Sequence, residues 1–155
     1  MATGGTYSFM DVTASIVSPT GNFNLGYGAG NSEEGITVTM QENKNTMTLG
    51  ADGSWMHSLH AGNGGTVTCR FLKTSPTNTA LMAMYDSQRI SSALWGQNTI
   101  MISDPARGDT IVCNGAAFQR QPNVAYAKDG GVMEWVFDCG VITTVLGDGA
   151  PVVTV

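Results

Sequence analysis

Alternation of apolar and polar residues with a period of two dominates this chain and predicts strands. Met10, Val12, Ala14 and Ile16 make one face of a strand over residues 7–16, which ends at Ser18-Pro19 and the turn residues Thr20-Gly21-Asn22. Ile36, Val38 and Met40 alternate with Thr37 and Thr39, and Val67, Cys69 and Phe71 alternate with Thr66, Thr68 and Arg70. The β-branched content of these two runs suits strands, and they are expected to pair. Further short strands are predicted at 99–103, 110–114 and 116–120, separated by Asp104-Pro105 and closed by Gln121-Pro122. The strongest alternation is Met133, Trp135, Phe137, Cys139 and Val141 against Glu134, Val136 and Asp138. One face of that strand would bury two aromatic rings, while the other turns two carboxylates toward water or a wet channel.

A helical period occurs only over 75–90. Ser75 suits the cap and Pro76 the first helical position, and Leu81, Met84 and Tyr85 then share a face, with Met82 off that stripe and Arg89 in the last turn. The segment 148–155 is interrupted by Gly and Pro, turns apolar, and has no evident place.

Between the two paired strands lies an arm, 41–64, far longer than the about 2–5 residues of an ordinary hairpin loop. Met47, Leu49, Trp55, Met56 and Leu59 give it apolar anchors that a solvated linker lacks. Gly50-Ala51-Asp52-Gly53 is the expected tip. The arm is therefore expected to dock on something. The pattern as a whole predicts a mainly β sandwich or barrel with one flanking α-helix and a long inter-strand arm, in one domain spanning 1–155.

Composition adds a reason for docking. Charged residues are 12% of the 155, against the usual share of about 25%, while hydrophobic residues reach 42% and methionine nine copies. A surface so poor in charge is expected to be covered by other subunits. The net charge of −5, with seven basic residues, argues against gripping nucleic acid through its phosphates. The N-terminus lacks a basic and apolar leader pattern, and no run approaches the about 18 apolar residues of a membrane span, so no export by the usual route and no membrane partner are expected. Cys69, Cys113 and Cys139 lack C-x-x-C spacing and sit in strand patterns; buried reduced thiols in a cytosolic compartment are expected.

Candidate chemistry is thin. Gly26, Gly28 and Gly30 lack the third glycine position and following helix of a dinucleotide loop, so a turn is expected there. His57 and His60, with Asp52 nearby, lack a convincing third ligand for a metal. No G-x-S-x-G is present. Glu134 and Asp138 could be paired carboxylates, but strand partners on one pleat face serve better to keep it wet. A structural protein without catalytic residues, cofactor or metal is expected. A β-sandwich carbohydrate-binding or adhesin module, stacking its ligand on Trp55 and Trp95, is the alternative of a different class.

The runs YSFMDVTASIVSPTGNFNL, EEGITVTM, ADGSWMHSLHAGNGGTVTCRFLKTSP, GQNTIMISD and AYAKDGGVMEWVFDCGVITTVLG, in this order over residues 6–147, resemble the contractile-tail bacteriophage tail tube protein family. The resemblance implies a tail-tube-like fold and six copies closing into a ring. Rings would stack head to tail into a hollow tube of the virion, made in the host cytoplasm. It implies the tail sheath, baseplate and tail terminator proteins as partners, with phage DNA passing through the lumen unbound. On that reading 41–64 is an inter-subunit arm carrying Met47, Leu49, Asp52, Trp55, Met56 and Leu59, and Glu134 and Asp138 line the lumen. A type VI secretion-like or other phage-derived injection tube shares the same physics.

Overall fold

The computed structural model describes residues 5–149. In chain order these form β1 (Thr13–Ser18), β2 (Gly21–Asn24), β3 (Asn31–Met40), β4 (Asn45–Leu49), β5 (Trp55–Leu59), β6 (Gly65–Leu72), α1 (Thr77–Gln88), β7 (Asn98–Asp104), β8 (Asp109–Phe118), β9 (Val132–Cys139) and β10 (Val141–Val145). One antiparallel sheet runs β2-β1-β7-β8-β9-β6-β3, with β10 added on β8, while β4 and β5 pair only with each other. The fold is mainly β with a single helix among the described residues, as the alternation predicts. Ala14 and Ile16 near one end of the sheet share a core with Val67, Cys69 and Phe71 near the other, which requires the sheet to curl around one interior.

β3 and β6 pair as expected, from Met40 opposite Gly65 to Ile36 opposite Cys69. β6 in turn pairs along its whole length with β9, and Val67, Cys69, Phe71, Trp135 and Phe137 are all fully buried. Phe118 packs edge-to-face with Trp135 (centroids 5.9 Å apart) and tilted against Phe137 (4.8 Å), and the helix closes this cluster. Leu81 and Met84 enter the core with Tyr85 beside them, and Asn78 Oδ1 accepts from Trp135 Nε1 at 3.1 Å.

Several boundaries differ from the sequence expectation. The first strand begins at Thr13, because Ser8 caps a 3-10 turn at Phe9–Asp11; Met10 is consequently exposed, although Val12, Ala14 and Ile16 keep their inward alternation. The strands expected at 110–114 and 116–120 are one strand, β8. Gly115, at φ +65°, absorbs an extra residue in the ladder to β7, and there β8 passes from partner β10 to partner β9. Val141 leaves the aromatic face: the chain turns at Gly140, and Val141 starts β10 with its side chain exposed. Met82, off the helical stripe, is partly buried against the core. Pro76 already has helical dihedrals, and Ser75 Oγ accepts from Thr77 N at 3.2 Å, so Ser75 meets the capping role expected of it from the residue before Pro76. Of the segment 148–155, residues 150–155 lie outside the described residues.

Cys69, Cys113 and Cys139 are buried free thiols. Burial pushes the Cys69 thiol up to about 12, which keeps it protonated and unreactive. Among the described residues no helix is long and apolar enough to cross a membrane.

Polar residues lock the helix end to the sheet. Gln88 and Asn98, both fully buried, exchange amide hydrogen bonds of 2.7 and 3.0 Å. Gln88→Leu is expected to lower unfolding free energy in urea melts by about 1–3 kcal/mol, because Asn98 is then buried without its partner. Adding Asn98→Leu should recover part of the loss.

Candidate assembly surfaces

The arm folds as a free-standing hairpin. Leu49 lies opposite Trp55, Met47 opposite His57 and Asn45 opposite Leu59. The tip is where the sequence places it: Gly50 N donates to Ser54 O at 2.7 Å, and Gly53 takes φ +87°, which glycine reaches without steric cost. Asp52 Oδ1 accepts from Ser54 N at 3.0 Å, and that bond holds its carboxyl below the usual range. At the base, Lys44 Nζ donates to His60 O and Gly62 O at 3.0 and 2.9 Å, and Glu42 Oε1 accepts from Gly62 N at 3.1 Å.

This register sorts the anchors by face. Directly opposite residues share a face and neighbours along a strand do not, so Met47, Leu49, Trp55 and Leu59 lie together with His57. Met56 falls on the other face with Thr46, Thr48 and Ser58. The five apolar anchors are thereby divided between the two faces: Trp55 and Met56 are adjacent in an extended strand and point apart. All five are exposed, Trp55 at 68% and Leu59 at 85%. A lone two-stranded hairpin is marginal in water, and a clustered exposed apolar face marks a contact surface.

The histidines do other work. His57 Nδ1 meets Asn45 Nδ2 at 3.2 Å, and His60 Nε2 meets Thr46 Oγ1 at 2.8 Å. Among the described residues no cluster of His, Cys, Asp or Glu is arranged to hold a metal. Trp95 packs against the core beside Tyr85 and Phe118, which removes it as an exposed stacking residue.

Glu134 and Asp138 lie on the outer face of β9, away from Trp135 and Phe137, and both are exposed. Sequence reasoning missed what stands beside them. Arg70 is directly opposite Glu134 on β6, and its Nε donates to Glu134 Oε2 at 3.2 Å while Nη1 donates to Thr37 Oγ1 at 3.1 Å. Asp138 accepts from Gln119 Nε2 at 3.2 Å, and Thr66 faces it across the ladder. The face is therefore a hydroxyl-rich strip with a matched ion pair, and not a bare acidic one. Arg70 stood on the polar side of its own alternation, but only the register shows which carboxylate it meets.

A groove of about 620 Å³ opens where β3 faces β7 and β8, floored by Ile36, Val38, Ile102 and Ile111. Three residues more on β3 than on β6 between two ladder pairs push Glu33 and Glu34 out at its rim. The N-terminal segment borders this groove and is held by Arg107, only 6% exposed. Arg107 Nη1 donates to both oxygens of Asp104 at 3.0 and 2.9 Å and to Asp11 at 3.1 Å; its Nη2 donates to Thr6 O, and its guanidinium lies 4.9 Å from the Tyr7 ring. Burial disfavours the charge, but the bonds Arg107 donates to Asp104 and Asp11 outweigh it and raise the Arg107 pKa.

The family model described as bacteriophage PhiTE tail tube protein matches residues 4–147. Among curated proteins, no sequence is significantly similar to this chain. A chain in the cryo-EM structure of the anti-feeding prophage tube-terminating cap is 12% identical with a TM-score of 0.57, over 95% of each chain. A chain from the PVC extracellular contractile injection system, in its sheath/tube terminator in the extended state, is 14% identical with a TM-score of 0.58, covering 93% of this chain and 99% of that one. One from the PVC sheath-tube complex in the extended state is 14% identical with a TM-score of 0.53, covering 86% and 88%. At these identities the likeness is one of fold.

Proposed function

Because this chain belongs to the bacteriophage PhiTE tail tube protein family, we propose that its copies close into hexameric rings that stack head to tail as the inner tube of a contractile phage tail, through which DNA is ejected. The role is structural, with no catalytic step. The observation that carries this reading is the hairpin β4–β5, whose exposed face of Met47, Leu49, Trp55 and Leu59 demands a partner. In a ring stack that partner is a neighbouring copy, and heterologous contacts of this kind propagate as filaments. Asp52 sits at the part of the arm that reaches farthest.

The lumen is assigned to the face carrying Glu134 and Asp138. Arg70 is paired with Glu134 and flanked by threonines there, so it is not free to hold phosphates. Sheath, baseplate and terminator proteins are the partners this reading implies. A second reading, a tube of an injection system that delivers something other than DNA, is favoured by the fold likeness to chains of the anti-feeding prophage and PVC particles.

Electron microscopy of the purified protein at rising concentration tests the reading. Six-fold rings and tubes are expected, with Glu134 and Asp138 on the inner wall once the tube is resolved. A strictly monomeric protein at high concentration would sink it. Nuclease-protected DNA in intact particles separates the phage tail from the injection tube.

A further inference from the structure

The hairpin leaves a second pair of surfaces unexplained. Of the seven basic side chains, Arg70, Arg89 and Arg107 are ion-paired and Lys44 is tied to backbone carbonyls. The other three, Lys73, Arg120 and Lys128, form no ion pair among the described residues, and they belong to one region. Arg120 and Lys128 lie on the segment 119–131 joining β8 to β9; Lys73 N donates to Gly131 O at 3.1 Å, and Lys73 Nζ lies 4.3 Å from the centroid of the Tyr126 ring. Tyr126 is 88% exposed. An aromatic knob flanked by unpaired cations therefore projects from a chain whose net charge is −5.

The groove between β3 and β7–β8 has the opposite chemistry. Its floor is aliphatic, and Glu33, Glu34 and Asp109 on its lining form no ion pair among the described residues. A hydrogen bond from the Ser32 hydroxyl at 2.7 Å holds the Glu34 carboxyl below its usual range. No residue of 119–131 lines the groove, so the chain does not fill it with its own knob.

We propose that Tyr126 of one copy seats in this groove of a second copy, with Lys73 and Lys128 against the carboxylates of its rim. This rests on the reading that copies of the chain assemble, and it adds a contact independent of the hairpin. Both halves of the match, apolar on apolar and cationic on anionic, are carried by the same chain, and such complementarity steers encounter and fixes register. Knob and groove are different surfaces, so the contact is heterologous and can continue from copy to copy.

Disulfide trapping tests it. Copies bearing Ala127→Cys, which keeps the Tyr126 ring, are mixed with copies bearing Glu33→Cys and oxidised; the native thiols are buried and do not compete. A covalent mixed dimer is expected, absent from either variant alone, with a yield that falls as salt is raised. Lys128→Glu in the first copy should reduce the yield, and Glu34→Lys in the second should restore it. No mixed dimer above the single-variant controls overturns the proposal. Tubes without the cross-link refute this contact and spare the tube reading, whereas the cross-link without rings does the reverse.

Discussion

Replacing residues 41–64 by a tight turn is expected to leave a folded subunit and to abolish tube formation. The body does not need the hairpin: β4 and β5 pair only with each other, and none of their residues belongs to the core. β3 and β6 already meet at Met40 and Gly65, where a short turn can join them. What is lost is a contact face whose apolar side chains would each contribute about 1.5–3 kcal/mol when buried against a neighbour. Thermal unfolding of the shortened protein should match the parent within a few degrees, while microscopy shows no stacked rings. Single replacements sharpen the point. Trp55→Ser should weaken stacking far more than Met56→Ser if the Met47, Leu49, Trp55 and Leu59 face is the one covered; equal effects would mean both faces are buried, and unchanged tubes in the shortened protein would remove the hairpin from the mechanism.

The second large effect concerns the interior. Trp135→Ala is expected to destabilise the subunit by about 3–5 kcal/mol, enough to unfold a domain of ordinary marginal stability at moderate temperature. Trp135 is fully buried, packs edge-to-face with Phe118, and donates to Asn78 on the helix, so its removal both opens a cavity and leaves an amide oxygen unpaired. Trp135→Phe keeps most of the ring contacts and should cost distinctly less. Urea unfolding followed by far-ultraviolet circular dichroism gives both values. An alanine variant within 1 kcal/mol of the parent would show that the aromatic cluster is not where the stability of the sheet resides.

What was legible in the sequence followed from periodicity. Alternation along 36–40, 66–72 and 133–139 placed Val67, Cys69, Phe71, Trp135 and Phe137 inward, since period-two patterning is itself the imprint of a half-buried strand. Turn chemistry put the hairpin tip at Gly50–Gly53, and the length of the segment set it apart from an ordinary hairpin loop. The ends of the patterns were less legible. Met10 fits the alternation of strand one yet stands outside it, because a local serine cap outcompeted strand extension at Phe9–Asp11. Val141 fits the aromatic face yet sits on another strand, because Gly140 turns the chain toward β8.

The sequence by itself determined the class of fold, the identity of the core faces and the existence of the arm, because these depend on residue type at fixed local spacing. Only the tertiary structure decided how surfaces are composed. Register sends Trp55 and Met56 to opposite faces of the hairpin, sets Arg70 against Glu134 and so neutralises a strip that reads as acidic along the chain, and brings β3 opposite β7 and β8 to make a groove. Each of these joins residues from separate strands, and which strand faces which is fixed by long-range pairing that no local pattern encodes.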